Sequence, residues 1–127
     1  MSTLGPTPAD LQAALYWLGL NDTAGADALR VSPRTLRGWR MGRDPIPAGV
    51  ARDLDELREE ADMEVARLVA RLRDGATPCV FIYSADETMQ RDDPDLGAYS
   101  ARWWQQIAYR AVQQVDGAWL EFVDDGE

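Results

Sequence analysis

The chain has 127 residues, with 13 arginines, no lysine, no histidine and 22 acidic residues, for a net charge of −9. That length suits one ordinary domain or two small ones sharing a core, and 46% hydrophobic residues with 5 Trp, 4 Tyr and 2 Phe exclude wholesale disorder. The absence of histidine removes Ser-His-Asp and Cys-His catalysis and imidazole metal sites, and the lone Cys79 removes an intrachain disulfide and a multi-thiolate zinc site.

Enzyme chemistry and cofactors are therefore not expected. No apolar run approaches the roughly 20 residues that cross a bilayer, and Met1-Ser2-Thr3-Leu4 has no basic stretch before an apolar block, so a soluble cytoplasmic protein is expected.

Residues 8–18 place Leu11, Ala14, Leu15 and Leu18 at helical spacing, with Thr7 as cap, Pro8 in the first position and Gly19 as the stop. Asn21 or Asp22 then opens a short helix through Leu29. Ser32-Pro33 repeats the cap-plus-proline signal for a third helix through Trp39 or Arg40, stopped by Gly42 and Pro45-Ile46-Pro47. From Ala48 to Arg73, the residues Val50, Leu54, Leu57, Ala61, Val65, Leu68 and Leu72 keep near-heptad spacing, which predicts one long helix or two joined near Glu60.

Asp74-Gly75-Ala76-Thr77-Pro78 breaks that helix, and Val80-Phe81-Ile82-Tyr83 reads as a strand. Ser84 and Glu87 have the spacing of a capping box for a short helix to about Arg91, with a loop over 92–95. Residues 100–115 predict a helix with Trp103, Trp104, Ile107, Ala108, Ala111 and Val115 on one side. Asp116-Gly117 then turns into a last strand over 118–123, before an acidic tail.

Residues 22–43 carry the functional signal. Two short helices that cross steeply need a small residue where they touch, a tight turn, and apolar residues aimed back at the first helix. Ala26 supplies the small contact, Leu29 and Val31 flank the turn, and Leu36 and Trp39 lie three apart on the inner face of the third helix. The run Val31-Ser32-Pro33-Arg34-Thr35-Leu36, followed by Trp39 and Gly42-Arg43, resembles the helix-turn-helix of Cro- and repressor-like transcription regulators. Two positions depart from that pattern. Arg30 stands at the turn where those families place glycine, at a cost of about 1 kcal/mol in the left-handed region. Gly25 stands where they carry a larger apolar residue.

Charge falls on the same block. Residues 30–43 hold Arg30, Arg34, Arg37, Arg40 and Arg43 and no acid, a stretch of +5 in an acidic chain. Cations against phosphates supply most nucleic-acid affinity. The first turns of a recognition helix reach base edges, so Arg34 and Arg37 are the candidates for bidentate contact with guanine, and Thr35 for a thymine methyl or a phosphate. Arg40 and Arg43, at the helix end and in the next loop, are expected on the phosphate backbone. Thr23, in the first turn of the second helix, is expected at a phosphate, and Ser32 serves as a helix cap with a positioning role.

The continuation Gly42-Arg43-Asp44-Pro45-Ile46-Pro47, a long helix ending Arg71-Leu72-Arg73-Asp74-Gly75, a strand with Phe81-Ile82-Tyr83, an acidic loop and a Trp-containing helix follow in one order. In that order the chain resembles anti-CRISPR-associated helix-turn-helix autorepressors and their bacterial YdiL-like relatives. The resemblance implies a homodimer that binds an inverted repeat in the promoter of its own operon, with Arg34 at a DNA-contacting arginine position and Arg37 at a polar groove-facing one.

The expected fold is mainly α with a small α+β C-terminal part. Residues 1–75 form the helix-turn-helix DNA-binding domain with its long linking helix, and residues 76–127 a strand-containing dimerisation domain. Phe81, Tyr83, Trp103, Trp104 and Trp119 are the expected dimer contacts, because two strands and two helices enclose so many rings poorly. Two other classes stay open: an antitoxin or protein-binding adaptor, and a regulator that grips RNA through its arginine-rich helix.

Overall fold

The computed structural model describes residues 5–75, 77–95 and 99–123; the Met1–Leu4 start and the acidic tail after Val123 lie outside them. Among the described residues there are six helices and one two-stranded parallel sheet, in the order α1 (Pro8–Leu18), α2 (Asp22–Leu29), α3 (Pro33–Arg40), α4 (Gly49–Asp74), β1 (Cys79–Ile82), α5 (Asp86–Asp92), α6 (Ala101–Val112) and β2 (Trp119–Phe122). None of these helices is long and apolar enough to cross a membrane.

The helix starts are set locally. Thr7 accepts from Asp10 N–H while the Asp10 carboxylate accepts from Thr7 N–H, a closed capping box, and Asn21 and Ser32 cap α2 and α3 in the same way with single bonds. The heptad-like apolar residues of α4 fall on one buried stripe over 26 uninterrupted residues, so the long helix does not divide near Glu60. Several boundaries differ from the sequence reading, among them the last strand, which runs over Trp119–Phe122 rather than 118–123. α5 starts after Ala85 without a side-chain cap bond, and Asp86 instead accepts from Ala101 N–H at 2.8 Å, which ties α5 to the start of α6. α6 stops at Val112, short of the expected Val115, and residues 113–117 form a turn that ends at Gly117 with φ 80°. The first strand runs over Cys79–Ile82, leaving Tyr83 just past its end.

β1 and β2 are parallel, with Cys79 beside Trp119 and Phe81 beside Glu121. Parallel neighbours need a crossover, and α5 and α6 provide it, with α6 packed against both strands and, chiefly, along α4. Polar links reinforce the α4–α6 contact: Tyr99 donates to Glu60 at 3.2 Å, Arg110 to Asp62, and Arg73 to the Gln114 carbonyl at 3.2 Å. One cluster of buried side chains runs from Leu11 in α1 through Leu36, Val50 and Leu72 to Trp103 and Ile107 in α6.

Candidate nucleic-acid interface

α2 and α3 pack on each other, and α1 packs on α3. The turn between α2 and α3 is made at Arg30, which adopts φ 63° and ψ 40°. Its strain of about 1 kcal/mol is offset by capping: Arg30 N–H reaches the Ala26 and Asp27 carbonyls, and Val31 N–H donates to Ala26 O at 2.9 Å. The helices close tightly at Gly25, where a Cβ would stand 3.2 Å from Leu36 Cδ2 and 3.4 Å from the Leu15 methyls. Glycine there suits a close approach of α2 to α1 and α3 that a larger residue would push apart.

α3 has two faces. Leu36, Gly38 and Trp39 are buried, whereas Arg34 and Arg37, one turn apart, are exposed. Arg34 makes no ion pair among the described residues. Arg37 stands 3.8 Å from Asp22 and keeps half of its side chain in solvent. Thr35 lies beside them, its hydroxyl accepting from Ser32 Oγ at 3.0 Å while Ser32 Oγ accepts from Thr35 N–H at 3.0 Å, so Ser32 is the cap of α3. Thr23 is exposed in the first turn of α2. Arg43 is exposed in the following loop, which is held to α3 because both Arg43 N–H and Asp44 N–H donate to Gly38 O.

The chain is 28% identical to the Aca2 repressor of Pectobacterium phage ZF40 over 103 residues, which span 80% of this chain and 89% of that protein. The resemblance to anti-CRISPR-associated helix-turn-helix repressors holds. No family model matches the chain.

Within this repressor-like module, Arg40 departs from the sequence reading. Its Nε and Nη2 donate to the two carboxylate oxygens of Asp22 at 3.1 and 2.7 Å, and Nη1 donates to Gln12 Oε1 at 3.3 Å. A guanidinium fixed on three nitrogens within the chain differs from the free phosphate contact expected at the helix end. Sequence reasoning missed the pairing because the partners are 18 residues apart on different helices, beyond the reach of local spacing.

The aromatic residues of the C-terminal half separate into two groups. Tyr83, Trp103 and Trp104 are buried within the chain, which corrects their expected place at a dimer surface. The walls that the two-strand, two-helix count omitted come from α4 and α1, which pack on α6. Two of the buried rings have their polar atoms satisfied inside, Trp104 Nε1 donating to Phe81 O at 3.1 Å and the Tyr83 hydroxyl to Asp93 at 2.7 Å, and the Trp103 ring meets Tyr99 edge to face at 4.8 Å. Phe81 and Trp119 are 55% and 45% exposed. The register places them on the same face of the sheet. Phe122, a member of the same aromatic load though not among the expected dimer contacts, is 49% exposed at the strand end.

Proposed function

We propose that the protein is a dimeric, sequence-specific DNA-binding repressor of an anti-CRISPR or phage-type operon that includes its own gene, acting on an inverted repeat in the promoter. The observation that carries this reading is the two-faced α3: Leu36 and Trp39 fix the helix to its bundle, and the opposite edge offers Arg34 and Arg37 to solvent with Thr35 beside them. Arg34 and Arg37 read base edges in the major groove, while Arg43 and Thr23 grip the flanking phosphates. Likeness to a phage repressor over four-fifths of the chain supports the same reading.

Dimerisation rests on the sheet. Phe81, Trp119 and Phe122 leave apolar surface in solvent, and each strand of a two-stranded sheet has an unpaired edge, so pairing with a twofold mate covers both. The test is fluorescence anisotropy with the DNA upstream of the gene, a random duplex and a structured RNA. Preferential binding of the upstream duplex by two chains per site is expected. Equal affinity for the random duplex, or preference for the RNA, overturns the reading.

A further inference from the structure

Asp22 is the first helical residue of α2, beside the backbone N–H groups that a helix start presents to phosphate. A carboxylate there opposes a polyanion. Arg40 is the last residue of α3 and holds that carboxylate with two parallel hydrogen bonds, while its third nitrogen reaches Gln12 on α1. The Arg40 and Asp22 side chains are 28% and 32% accessible, so the pair lies at the margin of the module, where its net charge acts on an approaching duplex.

We propose that Arg40 is a positioning residue for DNA binding rather than a phosphate contact: it cancels the Asp22 charge at the α2 start and braces the base of α3 against α2 and α1. This rests on the DNA-binding reading above. The physical argument is one of counting. A cation already paired with a carboxylate adds no net charge against the duplex and releases no counterion of its own, whereas a free arginine on a phosphate releases about one. The geometry adds the second part, since a bidentate guanidinium–carboxylate pair is directional and fixes the angle between the helices that it joins. Arg37, at 3.8 Å from the same carboxylate, is too distant for a hydrogen bond and stays available to DNA.

The experiment compares wild type, Arg40→Gln, Asp22→Asn and the double variant on the upstream duplex across a salt series, with thermal melts to establish that each is folded. Arg40→Gln exposes the unpaired Asp22 charge and weakens binding by about tenfold at low salt. Asp22→Asn frees a cation, and the log–log salt dependence steepens by about one. In the double variant the Asn and Gln amides restore a neutral hydrogen-bonded pair, and affinity returns to within about threefold of wild type, with the wild-type slope. A residue that only stabilised the fold would leave the slopes equal.

A double variant as weak as Arg40→Gln, with a slope reduced by about one, makes Arg40 a phosphate contact and overturns the proposal while leaving the DNA-binding reading intact. Absence of salt-dependent duplex binding by wild type overturns both.

Discussion

Ser100 Oγ donates to the carbonyl oxygen of Gly19 at 2.9 Å, joining the C-cap of the first helix to the N-cap of the last across 81 residues of sequence. The same serine caps α6 by accepting from Trp103 N–H at 3.1 Å, so one buried hydroxyl fixes both the start of α6 and its seat on the helix-turn-helix bundle. Gly19 makes the approach possible. It has φ 77°, and a Cβ there would lie 2.5 Å from Arg102 O and 2.9 Å from Trp103 N.

Gly19→Ala should therefore destabilise the protein by more than the usual left-handed penalty of about 1 kcal/mol, because backbone atoms of α6 must also retreat; a loss of roughly 2–4 kcal/mol is expected. Chemical denaturation of the full chain measures it. A loss below the left-handed penalty alone would mean that the α1–α6 contact opens without cost.

For base reading, Arg34→Ala should cost about 1–3 kcal/mol on the upstream site and relax preference at one base position in each half-site. Arg43→Ala should instead weaken specific and random duplexes alike and reduce the salt slope by about one. Anisotropy titrations on a panel of single-base variants separate the two behaviours. Equal losses on every duplex for Arg34→Ala would leave it only a phosphate contact.

The two aromatic groups of the C-terminal half should respond differently to truncation. Trp103→Ala removes a buried ring and should cost about 3–5 kcal/mol of folding stability. Phe81→Ser with Trp119→Ser removes exposed rings, so the monomer fold should persist within about 1 kcal/mol while self-association weakens. Sedimentation and thermal melts read these outcomes. Unchanged association of a folded double variant would move the dimer contact away from this face of the sheet.

Tyr99 gives stability an alkaline dependence. Partial burial, and then the nearby Glu60 that accepts its hydroxyl, push the phenol above its ordinary value of 10.0. Its folded pKa exceeds the unfolded one, so its contribution is complete below about pH 10 and declines as pH rises from there through the folded value. Cys79, raised above 9.0 by desolvation and Glu121, adds a loss of the same sign from a slightly lower pH. In a Cys79→Ser background, Tyr99→Phe should flatten the fall in melting temperature above pH 10. An identical slope with and without the phenol would assign the loss to other groups.

Helices with locally set ends could be placed from neighbouring residues alone. Thr7, Asn21 and Ser32 each cap a backbone group three residues away, and the α4 stripe repeats within a single helix, so neighbouring residues suffice to place them. The exposed edge of α3 was legible for the same reason, since Leu36 and Trp39 announce which side is buried and leave Arg34 and Arg37 on the other. Tertiary structure alone decided which rings face solvent and which arginine is free. Trp103 and Trp104 are buried because α4 and α1 wall them in, and Arg40 is engaged because the α2–α3 crossing brings it to Asp22. Such contacts join side chains far apart in the chain, and periodicity reports the face of a helix without naming the surface that covers it.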